Sequence, residues 1–245
     1  MNRLFRPRDG TIRSGPHAAG IHHAVRRHAA RLLTAGSSRP VPLAADMGKQ
    51  LTPRGRQRRD QLIDYATARF AERGYHDTSV ADLVSGLGVG KGVFYWYFES
   101  KEQLFVEILR EAQLDLRRAQ RAAIGDEREP VRRIELGIRS SLAWIDQHPD
   151  HNELIRVAAS DDRFRHHVRR GEEIALDDLS KHLKDAIVAR GLHDADPEMV
   201  AHAILGVVGR LAGTFLPGRG ASVDAVADAA VAFCLGGLLA ERGLR

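Results

Sequence analysis

The chain has 245 residues, a formal net charge of +5, 43% apolar and 28% charged residues, and one cysteine. That length and balance suit one or two domains with a sizeable core, and the lone Cys234 excludes an internal disulfide, which fits a reducing cytoplasm. No uninterrupted apolar run approaches the roughly eighteen residues of a membrane span, so a cytoplasmic protein with no membrane partner is expected.

The positive charge is uneven. Residues 1–46 hold eight Arg against two Asp, a net of +6, which leaves the chain from Met47 onward at −1. This leader lacks apolar periodicity, is rich in Arg, His, Gly and Pro, and reads as disordered over residues 1–48. Two readings stay open for it: a basic arm that follows a DNA backbone, or a non-native leader ahead of a natural start at Met47-Gly48-Lys49. It has no apolar segment of the secretory-signal kind.

From Thr52 and Pro53 a helix is expected, with Leu62, Ile63, Ala66 and Phe70 at helical spacing and Gly74 as its stop. Its basic start, Arg54, Arg56, Arg58 and Arg59, serves either solubility or phosphate approach. Ser79 with Asp82 three residues on is a capping box, so a second helix carries Val80, Leu83, Val84 and Leu87 until Gly86 and Gly88 end it. Gly90 then caps a third, from Lys91 to about Phe98. Two short helices joined by a glycine-containing turn are the helix-turn-helix pattern, whose second helix is sized for a DNA major groove.

At about 100° per residue, Phe94 and Phe98 fall on the inner side of that third helix, while Gly92, Val93 and Trp96 point outward. Lys91, Tyr95 and Tyr97 lie on its flanks, where an ammonium and phenolic hydroxyls can donate to phosphate oxygens around a ridge that meets base edges.

The run T-S-V-x-x-L followed by G-V-x-K-G-x-F-Y-x-Y-F-x-S-K-E-x-L resembles the TetR (tetracycline-repressor-like) family of transcriptional regulators. The resemblance implies an all-α homodimer that binds a palindromic double-stranded DNA operator and leaves it when a small-molecule effector fills the C-terminal domain. It implies phosphate contacts at Ser79, Lys91, Tyr95, Tyr97 and Lys101, and base-facing positions at Gly92, Val93 and Trp96. Gly90 departs from the Ser common there, and Tyr97 from a common His.

Beyond Lys101 the pattern stays helical. Ser100 caps a long helix to about Gly125, and Pro130 opens another that His148-Pro149 ends. A shorter helix holds Leu154, Ile155 and Val157, and a long one follows Asp161-Asp162 to Arg190. The last two, Pro197 to Leu216 and Val223 to Glu241, are apolar around most of their circumference and rich in small residues. Gly inside a helix costs about 1 kcal/mol relative to Ala, so Gly206, Gly209, Gly213 and Gly236, with Ala225, Ala229 and Ala232, are expected to form a four-helix dimer interface. About nine helices result: a helix-turn-helix DNA-binding domain over residues 49–100, and a ligand-binding and dimerisation domain over 101–245.

A ligand cavity is expected between the helix after Ser100 and those carrying Trp144, Phe164 and the Gly206 region. Phe105, Trp144 and Phe164 are candidate linings, and Arg139, Arg156 and His202 candidate polar anchors. The pair His166-His167 has poor metal-ligand spacing, Cys234 among Val231, Phe233 and Leu235 reads as a small hydrophobe, and no nucleophile or phosphate-loop motif supports an enzyme. No metal or cofactor is expected. The competing classes are a nonspecific, architectural DNA-binding protein, and a small-molecule carrier or enzyme with a degenerate helix-turn-helix.

Overall fold

Side-chain caps and N-terminal prolines mark most helix starts. The computed structural model describes residues 51–190, 195–217 and 220–239; the leader lies outside them, as do the residues beyond Leu239 that were expected to extend the last helix. Nine helices and no strand occur among the described residues: α1 Pro53–Arg73, α2 Val80–Gly86, α3 Lys91–Tyr97, α4 Lys101–Ile124, α5 Pro130–Gln147, α6 Pro149–Ser160, α7 Arg165–Arg190, α8 Pro197–Phe215 and α9 Val223–Leu239. The Thr52 hydroxyl accepts from Gly55 N, the Ser100 hydroxyl from Gln103 N, and the Asp196 carboxylate from Glu198 N. Each satisfies an amide the helix leaves without an internal acceptor. Proline opens α1, α5, α6 and α8, where its fixed φ suits the first turn and its missing N–H is no loss.

Two apolar clusters hold the helices together. The first joins α1, α2 and α3 to the N-terminal half of α4, to α6 and to the start of α7, around Leu62, Phe70, Leu83, Phe94, Phe105 and Phe164. The second joins α5, the later part of α7, α8 and α9 around Ile134, Leu142, Leu183, Ile204, Val226 and Leu235. The first cluster crosses residue 100, so the expected division into residues 49–100 and 101–245 does not separate two cores. Two glycines lie directly under side chains of neighbouring helices. A Cβ at Gly86 would fall 1.8 Å from the Tyr65 hydroxyl of α1, and one at Gly171 would fall 2.0 Å from Gln113 Nε2 of α4.

Helix α8 is long and apolar enough, by length and composition, to cross a membrane. In this fold it packs on α5, α7 and α9, yet only a minor part of it is buried within the chain, because glycines and alanines occupy its outer side.

Candidate nucleic-acid interface and ligand cavity

The short helix α3 depends on its neighbours for stability, since a seven-residue helix cannot sustain itself in water. Phe94 and Phe98 are buried against Leu83 in α2 and the α1 core, each contributing about 1.5–3 kcal/mol by removal from water. The turn before it passes through Leu87 and Gly88, whose φ of +65° is a left-handed conformation that glycine adopts without strain. The outer side then stands free of the core: Tyr95 is 56% and Trp96 52% exposed, and Lys91 and Gly92 are exposed beside them. A Cβ at Gly92 would meet nothing within 4 Å, so close backbone approach to another surface is open there. Val93 is half-buried. Tyr97 is half-buried too, packed on the first cluster with its ring centroid 4.6 Å from that of Trp96.

Two of the residues expected to contact phosphate have partners within the chain. The Ser79 hydroxyl accepts from Asp82 N at 3.2 Å and donates to Asp82 Oδ2 at 2.5 Å, completing the capping box. Those bonds hold the Asp82 carboxyl below its usual range. Lys101 Nζ donates to the carbonyls of Tyr75 and Thr78, both at 2.8 Å, and lies 4.3 Å from the Tyr75 ring centroid. Burial pushes this ammonium's pKa down. Lys101 is therefore a brace tying the start of α4 to the α1–α2 loop. Among the basic residues of α1, Arg59 turns inward to Glu111 at 2.7 Å and to Glu107, while Arg54 stays exposed.

The brace belongs to a junction centred on Tyr75, whose ring contacts those of Phe70, Phe105 and Phe164 with centroids 4.8 to 5.5 Å apart. Arg163, just ahead of α7, sits 5.1 Å from the same ring and bonds Asp161 at 2.8 Å; Asp161 lies 3.4 Å from His76. Hydrogen bonds from Arg163 hold the Asp161 carboxyl well below its usual range. The α1–α2 loop, the start of α4 and the α6–α7 turn thus meet at one point.

Farther along α4 a cavity of about 340 Å³ opens between α4, α5, α7 and α8, within the range of about 300–1,000 Å³ typical of ligand pockets. The four helices are those expected; the side chains are not. Its apolar wall comes from Ile124, Ile134, Ile138, Leu179, Ile204 and Val208, and its polar rim from Arg117, Gln120, Arg121, Ser141, Asp178 and their neighbours.

None of the six expected ligand residues lines it. Phe105 and Phe164 fill the first cluster, and Trp144 is buried with Nε1 donating to Asp115 at 2.8 Å. Arg139 pairs with Glu135 and with Asp228 of α9, Arg156 with Glu153, and His202 is exposed on α8. The reason is distance along the helix: the apolar stripe of α4 faces the first core near Phe105 and reaches the cavity only four turns later. The i, i+4 pair Arg117 and Arg121, with Gly137 and Ser141 opposite on α5, was the sequence signal for the lining of this cavity.

Gly206, Gly209, Gly213, Ala225, Ala229, Ala232 and Gly236 are all exposed on the outer side of α8 and α9, next to Met199 and Phe233, each 70% exposed. A Cβ at any of the four glycines would meet nothing within 4 Å. Nothing inside this subunit requires glycine there.

A helix-turn-helix whose second helix exposes an aromatic face is joined through one core to a helical body with a cavity. Residues 62–108 match the family described as bacterial regulatory proteins, tetR family. The chain is 29% identical over 112 residues to the probable acrEF/envCD operon repressor of Escherichia coli (strain K12), covering 45% of this chain and about half, 51%, of that relative's length. To the HTH-type transcriptional repressor KstR2 of Rhodococcus jostii (strain RHA1) it is 27% identical over 190 residues, covering 74% of this chain and 91% of that one. The structure of ketosteroid transcriptional regulator KstR2 of Mycobacterium tuberculosis superposes with a TM-score of 0.58 at 26% identity, over 74% of this chain and 94% of the other. Residues 62–108 thus carry the TetR family's helix-turn-helix signature, and the chain as a whole is similar to TetR-family regulators.

Proposed function

We propose that the protein is a ligand-responsive, dimeric, cytoplasmic DNA-binding regulator that represses transcription from a palindromic operator and is released by a small molecule. The observation that carries this reading is the outer face of α3: a Trp more than half exposed, beside an exposed Gly and a half-buried Val, over a buried Phe pair. Lys91, Tyr95 and Tyr97 supply phosphate donors on the flanks, and Gly92, Val93 and Trp96 meet base edges. Ser79 contributes by fixing the start of α2, and Lys101 by fixing the start of α4.

The glycine-rich outer side of α8 and α9 supports a homodimer through a four-helix interface, because its glycines need a partner outside the subunit to offset their helix cost. Two α3 helices then read half-sites about one helical turn apart, roughly 34 Å. Ligand and operator are coupled through α4, which carries the brace at Lys101 and the cavity wall from Arg117 onward, about 24 Å along its axis. A ligand that favours one position of α4 shifts the spacing of the two readers.

Selection of bound fragments from random DNA tests the reading. The expected result is an inverted repeat, with affinity falling at least about tenfold in the pair Tyr95→Ala and Trp96→Ala while the dimer persists. Uniform affinity for all sequences would favour an architectural protein, and ligand binding with no DNA binding at all a carrier.

A further inference from the structure

We infer that the cavity between α4, α5, α7 and α8 takes an amphipathic anion, a compact apolar body with a carboxylate or phosphate head seated at Arg121 and Arg133. This rests on reading that cavity as the effector site.

The lining is electrostatically lopsided. Arg117, Arg121, Arg133 and Lys181 face one carboxylate, Asp178. Part of that charge is already matched. Arg117 pairs with Asp178 at 2.7 Å, Lys181 with Asp177 at 2.7 Å, and one arm of Arg133 with Asp185 at 2.7 Å. Two donors are left over. Arg121 reaches only the backbone carbonyl of Arg117, at 3.2 Å, and has no carboxylate within ion-pair distance among the described residues. The Nε–H of Arg133 is buried and has no acceptor there. A buried donor left without an acceptor costs about 1–3 kcal/mol, and a guanidinium edge is shaped for two oxygens of one anion.

The histidine in the lining points the same way. Burial first, and then the charge of Arg133, push the His182 pKa down against the pull of Asp185 and Asp178, which sets an uncharged ring beside the guanidinium. Behind the charges the wall is aliphatic, from Ile134, Ile138, Ile204 and Val208. A cation would find no carboxylate left over beside the unmatched Arg121, and a fully polar anion would leave that wall wet. An apolar acid satisfies both halves.

Calorimetric titration of the full chain with decanoate and 1-naphthoate, against decanol, 1-naphthalenemethanol and decyltrimethylammonium, tests this. The expected result is an anion preference of at least about tenfold over the matched neutral compound, no binding of the cation, and loss of that preference in Arg133→Gln and Arg121→Gln. Arg121 lies exposed on α4, so its variant stays informative should Arg133→Gln fold poorly. Decyl phosphate separates the two kinds of head; preference for either over decanol supports the inference. Equal binding of decanol, binding of the cation, or no binding of either acid at about 1 mM overturns it. DNA release is read separately by footprinting. Acid binding without release leaves the ligand class standing and removes the effector role, while DNA release by a neutral compound keeps the regulator and discards the anion.

Discussion

Lys101 separates two readings of one residue, and Lys101→Met distinguishes them. Methionine keeps the apolar stem and removes the ammonium. In the structure that ammonium donates to the Tyr75 and Thr78 carbonyls, both at 2.8 Å, and sits over the Tyr75 ring at 4.3 Å. Hydrogen bonds from a charged donor contribute about 1.5–3 kcal/mol each, and a cation over an aromatic face about 0.5–2 kcal/mol. The side chain is only half-buried, so the lower ends apply, and the expected loss is about 3.5 kcal/mol. For a chain of this size that lowers the melting temperature by about 7–14 °C, measured by circular dichroism. Well below melting, the salt dependence of operator binding should keep its slope, since each lost phosphate contact would reduce it by about 0.9. Unchanged melting with a flatter slope would refute the brace and return Lys101 to the DNA contacts.

Other perturbations read other parts of the molecule. Phe105→Ala, at a fully buried ring with its centroid 4.5 Å from that of Phe164, should cost about 3–5 kcal/mol in chemical denaturation; full stability with lost ligand binding would put this ring in the cavity. Burial holds His151, His167 and His182 below the ordinary histidine pKa, with neighbouring positive charge adding to it. The unfolded chain therefore takes up protons first as pH falls, so stability is full above about pH 6.5 and declines toward about pH 5. Melting temperatures across that window should fall, and less so in the triple Gln variant; a flat profile in the parent chain would contradict the burial. A Cβ at Gly209 meets nothing within 4 Å and replacing the glycine gains about 1 kcal/mol of helix propensity, so Gly209→Arg should leave the fold intact and weaken self-association at least tenfold in sedimentation. An unaltered dimer would place the interface elsewhere.

The amino-acid sequence alone determined the local structure and the reader. Capping signals such as Ser79 with Asp82, prolines at helix starts and glycines at turns act over a few residues, and so they can be read without knowing what packs on what. The 3.6-residue period likewise placed Phe94 and Phe98 inside and Trp96 outside, because one helix packed on one core leaves little choice of face. Tertiary structure decided which long-range partners polar groups found. Nothing near Lys101 in the chain shows that its ammonium will meet carbonyls more than twenty residues back, and nothing near Arg133 shows that Asp185 takes one arm and leaves Nε alone. The cavity is of the same kind. It exists between four helices, and the space left there depends on how residues of different helices pack on one another, which no single helix encodes.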